Sequence, residues 1–227
     1  MRAATNALIF LVAAGTALSA QAPTSPARPS VTAPAAQAPA SPARPPTPGM
    51  PAPSAPPQSA RPRAVQVMTL TGPWPDGGII PKAFSQAGRD QSPALTWSNV
   101  PEGTASLALV VHDLDAAIGD GTDDVLHWMV WNIPGDVTNL PAGVAQGPTR
   151  PDGSRQIGAS GPYYRGPAAP ATGPAHHYVF ELYALDAPVN VAPVGESPAA
   201  TRAAVMKAMA GHVRGKAVYT GLYKRQP

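Results

Sequence analysis

The chain has 227 residues, of which 31 are proline, 21 glycine and none cysteine. Fourteen of the prolines fall between Pro23 and Pro62, so that tract is read apart from residues 64–227, which are long enough for one domain with a real core. Charge divides at the same place: residues 1–63 carry Arg2, Arg28, Arg44, Arg61 and Arg63 and no acid, so the 11 basic and 13 acidic side chains that remain leave the domain near −2. The basic balance therefore belongs to the tail, which argues against a nucleic-acid partner, because such proteins gather Lys and Arg on the folded domain. The lack of cysteine excludes disulfides, thiolate zinc sites, cysteine nucleophiles and lipid attachment through a cysteine.

Residues 1–20 place Arg2 before an apolar stretch that ends in small residues, the pattern of a secretory signal peptide cleaved after Ser19 or Ala20. The stretch is shorter than the roughly 20 residues of a membrane-spanning helix, and no later segment is apolar for long enough, so the mature chain is expected in the periplasm or outside the cell. Residues 21–63 are Pro, Ala, Ser and Thr with scattered Arg, and the string SPARP begins at Ser25 and again at Ser41. With almost nothing to bury, they are expected to form a disordered, polyproline-rich linker, either a spacer or a dispensable leader.

In the domain, residues 65–70 alternate as a strand before Gly72, Pro73, Pro75, Gly77 and Gly78 break the chain. Residues 95–97 form a short strand ahead of a turn at 101–103. Residues 107–111 are a continuous apolar run ending in His112 and Asp113, as expected of a buried strand whose end reaches a pocket or the surface. Residues 127–133, 178–185 and 216–223 are three further strands, rich in aromatic and branched side chains. One helix is expected over 198–210, with Ser197 as N-cap, Pro198 at the first helical position and Gly211 just past the end. Short strands, Gly/Pro loops and one C-terminal helix describe a mainly β domain.

Four groups could carry chemistry: His112-Asp113-Leu114-Asp115, where a strand gives way to a loop; His127 at the head of a strand; the loop 158–174, stiffened by Pro162, Pro167, Pro170 and Pro174; and His176-His177-Tyr178, which opens the next strand. Singly, each has an ordinary explanation as a turn acid or a capping histidine. As a set they all fall at strand and loop junctions, where sites are built on β scaffolds. Ser160 is one residue short of a G-x-S-x-G elbow and lies in a proline loop, so a serine nucleophile is not supported. His212 follows the helix and is accounted for by a C-terminal charge interaction. Trp128 and Trp131, three apart on a strand, face opposite ways, so that one of them is expected in the core.

The strings HDLDAA (112–117), LHWMVWNIP (126–134), GPYYRGPAAPATGPAHHYVFELYALD (161–186) and AMAGHVRGKAVYTGLY (208–223) resemble, in order and spacing, the phosphatidylethanolamine-binding protein family, in particular its bacterial branch of Raf kinase inhibitor-like proteins. The resemblance covers about residues 66–225. It implies a β fold of two antiparallel sheets, with a small pocket for phosphate, acetate or a phospholipid head group. Carried over by position, it implies Asp113 and Asp115 as paired acids, His127 and His176 as pocket histidines with Tyr178 beside them, and Gly166 and Pro170 in the loop that forms one wall. Leu114 and Ala117 stand where the family usually has proline, and the loop 118–125, with Asp120, Asp123 and Asp124, is longer and more acidic than usual.

Bare carboxylates repel phosphate, so an anion site with two aspartates needs a reason. If Asp113 and Asp115 accept hydrogen bonds from imidazole N–H groups, they favour protonated histidine, and His127 and His176 can then present charged donors to the anion. The expected function is an exported anion or head-group binding protein without a cofactor, possessing a protein target of unknown identity; it is not expected to be an enzyme. Two alternatives use other chemistry: a divalent-metal hydrolase built on the same His/Asp cluster, although no HExxH-type spacing is present, and a protease inhibitor.

Overall fold

The computed structural model describes residues 64–194 and 197–227; the expected signal peptide and linker at 1–63 lie outside them. In chain order the elements are β1 (Gln66–Val67), β2 (Thr69–Thr71), β3 (Gly78–Ile79), a 3₁₀ turn (Lys82–Phe84), β4 (Leu95–Ser98), β5 (Ser106–Ile118), β6 (Asp123–Pro134), β7 (Asn139–Leu140), β8 (Arg155–Gly158), β9 (His176–Leu185), α1 (Pro198–Met209) and β10 (Val213–Tyr223). The larger sheet runs β1-β10-β9-β5-β6-β8, with β3 also on β10, and the smaller runs β2-β4-β7. The pairings are antiparallel except for β1 and β3, two-residue strands that lie parallel to β10.

The continuous apolar run in β5 has a direct cause: both of its faces are covered. Leu107, Leu109 and Val111 join Phe180 and Leu182 of β9 and the small sheet's Leu70, Trp97 and Leu140 in the core between the sheets. Ala108 and Val110 look the other way, into a second core with Tyr183, Leu185 and the α1 residues Val205 and Met209. A strand covered on both sides reads as an unbroken apolar string rather than an alternating one. Trp128 and Trp131 do face opposite ways, yet both are fully buried, one in each core, and each indole N–H has a partner: Gln156 Oε1 at 3.0 Å and the Val191 carbonyl at 3.1 Å. The expectation of one core tryptophan underestimated a sheet with two cores.

Several boundaries differ from the sequence reading. The stretch 65–70 is not one strand, because the chain passes from the large sheet in β1 to the small sheet in β2. β5 does not yield to a loop at Asp113 but continues to Ile118, so the acidic stretch 118–125 is the tip of a long β5–β6 hairpin, and His127 lies inside β6 rather than at its head. The helix ends at Met209; Ser197 caps it, its side chain accepting from the Ala200 N–H at 3.2 Å, with Pro198 in the first turn. The His212 backbone N–H donates to the Met209 carbonyl at 3.0 Å, but its imidazole does not serve the helix end: Nδ1 meets Asp186 Oδ1 at 2.8 Å.

Candidate functional site

The site is set by strand register. Asp113 of β5 lies directly opposite Tyr178 of β9, so the two side chains share a face, and His176, two residues before Tyr178, shares it too. His127 joins them through a bulge. In the β5–β6 ladder Val111 pairs with Trp128 and His112 with Leu126, leaving His127 as the extra residue. Trp128 and Leu126 accordingly enter opposite cores although they are two apart, and the His127 ring packs edge-on against Tyr178 with centroids 5.1 Å apart. Regular alternation could not have aimed this imidazole; the inserted residue does.

Each Nδ1 is committed. His176 Nδ1 is 2.9 Å from Asp113 Oδ2, and His127 Nδ1 is 2.7 Å from the Arg165 carbonyl. A carbonyl and an ionised carboxylate can only accept, so both Nδ1 atoms carry hydrogen and the neutral rings hold their lone pair on Nε2. Neither Nε2 has a hydrogen-bond partner among the described residues, and neither is sealed from solvent. Burial holds the His127 pKa below 6.5, with the Arg165 carbonyl and the Asp113 charge opposing that pull. Tyr178 is pushed far above its ordinary value, chiefly by burial, and its oxygen accepts from the N–H groups of Ala168 and Ala169, each at 3.2 Å, which pins the loop to the site.

The other predicted residues have different surroundings. Asp115 does not turn in beside Asp113: it is exposed, and its Oδ2 accepts from the His177 backbone N–H at 2.5 Å and Nδ1 at 2.8 Å, contacts that lower its pKa. The two acids are linked instead through the backbone, the Asp115 N–H donating to Asp113 Oδ1 at 3.0 Å. The expected pairing of Asp115 with a pocket histidine is therefore replaced by one with His177, at the rim. Pro170 is exposed. Gly166 is buried and has a steric reason, since a Cβ there would lie 2.2 Å from the Phe84 carbonyl oxygen.

Sequence reading missed the support behind the wall. Asp90 takes Arg165 Nη1 at 2.6 Å and the Gly166 N–H at 2.7 Å, and the Tyr164 hydroxyl donates to the Phe84 carbonyl at 2.8 Å. These join residues about 75–80 positions apart, and an isolated Asp in a polar stretch gives no local sign of such a role. Among the described residues no group of three His, Asp or Glu side chains is placed to share a metal ion, and no helix is long and apolar enough to cross a membrane.

This geometry can be set beside known proteins. The family model for phosphatidylethanolamine-binding protein matches residues 71–224. The chain belongs to the phosphatidylethanolamine-binding protein family. A UPF0098 protein of Methanothermobacter thermautotrophicus is 40% identical over 154 residues, 66% of this chain and 93% of that one. LppC of Mycobacterium tuberculosis, provisionally named a lipoprotein, is 37% identical over 155 residues, 66% of this chain and 71% of its own. Among solved structures, Escherichia coli YbcL, described as a new member of the mammalian PEBP family, matches with a TM-score of 0.55 at 28% identity, covering 70% of this chain and 99% of that one. A homologue from Chlamydia trachomatis gives 0.58 at 29%, covering 71% and 99%. For this PEBP-family chain the two-sheet fold is thereby matched from both sequence and structure.

Proposed function

We propose that the chain is an exported binding protein whose Asp113–His127–His176 pocket takes phosphate or a phospholipid head group, and that it acts on a partner protein through that pocket. The observation that carries the reading is the pair of solvent-reaching Nε2 atoms on imidazoles whose Nδ1–H groups are already spent. Protonation converts both from acceptors into charged donors, the chemistry an oxyanion requires. The capture of Asp115 by His177 supports the same reading, because it removes one carboxylate from the anion's surroundings. Export rests on the signal pattern of residues 1–20 and agrees with the lipoprotein name of one relative.

The test is calorimetric titration of the full chain with inorganic phosphate and with phosphoethanolamine from pH 5.5 to 8. Affinity rises as pH falls through and below about 6.5, since His127 must be charged against its burial. Affinity that is flat or rises with pH contradicts the reading. Preference for phosphoethanolamine over phosphate identifies the head group as the better ligand, and saturable binding of a divalent cation would favour the hydrolase alternative.

A further inference from the structure

On the face of β5 opposite the pocket, His112 is 6% exposed and touches charge from three elements. Its Nδ1 lies 2.5 Å from Asp124 Oδ2 of β6, and the other Asp124 oxygen is paired with Arg202 of α1, whose Nη2 is 3.4 Å from the same imidazole nitrogen. Its Nε2 faces Glu181 Oε2 of β9 across 3.5 Å with no hydrogen-bond partner. Beyond it, Glu181 is held by Lys216 of β10 at 2.6 Å and by the Tyr183 hydroxyl at 3.0 Å. A buried polar atom without a partner needs a physical reason.

The reason lies in which proton can leave. Asp124 is a pure acceptor, so Nδ1 keeps its hydrogen and His112 titrates at Nε2. Charged, the ring places a positive N–H between two carboxylates. Neutral with Nδ1 protonated, it directs a lone pair at the Glu181 carboxylate from a buried nitrogen, a repulsion relieved when the ring moves away from Asp124. Above it, α1 is anchored by Val205 and Met209 in the second core. Beside that anchor an open cleft of about 530 Å³ runs between helix and hairpin, with Ala199, Ala203 and Met206 on the helix side and Ile118 and Leu126 opposite. Arg202–Asp124 is the one ion pair joining α1 to the sheet among the described residues.

We propose that His112 is a proton-operated latch for α1: protonated, it keeps Asp124 in place for Arg202, and neutral, it lets the helix lift from the hairpin. Burial alone would pull the imidazole's pKa down and Arg202 adds to that pull, yet Glu181 and Asp124 outweigh them and raise it above 6.5. The sign follows: the latch is fully closed below the unfolded value near 6.5 and opens as pH rises through the raised value. Asp113, the neighbouring residue, points to the other face, so the latch does not depend on what the pocket binds.

The experiment is an NMR titration of the full chain from pH 5.5 to 9, reading the His112 ring and the amide exchange of α1. The His112 midpoint lies above 6.5, and protection of α1 amides, corrected for intrinsic exchange, falls about tenfold through that midpoint while β9 and β10 amides hold. Glu181→Gln moves the midpoint and the α1 step down together. Arg202→Met removes the step and leaves β9 and β10 protected. A His112 midpoint at or below 6.5, α1 amides that follow the strands throughout, or an Arg202→Met chain that keeps the step would overturn the proposal, and the first two need no variant to fold.

Discussion

His112 and Asp113 are neighbours on one strand, and each pairs a carboxylate with an imidazole, yet their surroundings are opposite. On the pocket face, Asp113 and the Arg165 carbonyl occupy one nitrogen of each histidine and leave the second open to water. On the helix face, Asp124, Arg202 and Glu181 surround His112, Lys216 holds Glu181 from behind, and the second nitrogen is buried. The same residue types thus leave imidazole nitrogens open on one side and enclose one on the other. What separates them is whether the unpartnered nitrogen reaches solvent, so a site is better assigned by donors and acceptors that are both unspent and accessible than by counting histidines and aspartates.

That contrast predicts large stability effects on the helix face and mainly binding effects on the pocket face. Glu181→Gln has the largest expected effect. His112 and Lys216 hold this carboxyl down at about 2 from its usual 4.5, so its contribution is present above 4.5 and is lost as pH falls toward 2. Removing the charge leaves its partners uncompensated and costs about 3 kcal/mol of unfolding free energy at pH 7, measured by urea denaturation. A cost below about 0.5 kcal/mol would erase the distinction between the faces.

Gly166→Ala comes next. The added methyl meets the Phe84 carbonyl oxygen, and relieving that contact shifts Arg165, the support of His127. A loss of about 2 kcal/mol is expected, by analogy with overpacking, together with weaker phosphate binding; full retention of both would show that the wall is not fixed there. Asp113→Asn, on the pocket face, weakens phosphate binding about tenfold at pH 6 by removing the carboxylate that holds His176 Nδ1–H and aims Nε2 outward. Asp115→Asn is the smallest: its pair with His177 is exposed, so a stability change under about 0.5 kcal/mol and unaltered affinity are expected. An effect of Asp115→Asn matching that of Asp113→Asn would return the second acid to the pocket.

Much of the frame is legible in the sequence. The long strands announce themselves as apolar or aromatic runs, and Ser197-Pro198 marks the start of α1, because those signals are local. The two-residue strands β3 and β7 carry no such signal, since only a distant partner makes them strands. The candidate residues Asp113, His127, His176 and Tyr178 do come together. The route by which they meet was not legible: a bulge at His127 reverses the parity of β6, and the three irregularities in the β5–β6 pairing cannot be read from alternation. Another bulge, at Asn132, returns Ile133 to the core between the sheets. Its residue sits at φ 60 and exchanges hydrogen bonds with the Val189 backbone. The destination of Asp115 was hidden for a different reason, because its partner His177 lies one step along the strand from the pocket histidine His176, and that step changes faces.

The central claim, an anion pocket on one face and a sealed clamp on the other, meets its most direct test in the imidazole resonances of the full chain titrated with phosphoethanolamine at pH 6. The five histidines are His112, His127, His176, His177 and His212. The account predicts saturable shifts at His127 and His176 with a common dissociation constant, while His112 and His212 stay silent. Silence at His127 and His176, or a saturable response centred on His112, would contradict it.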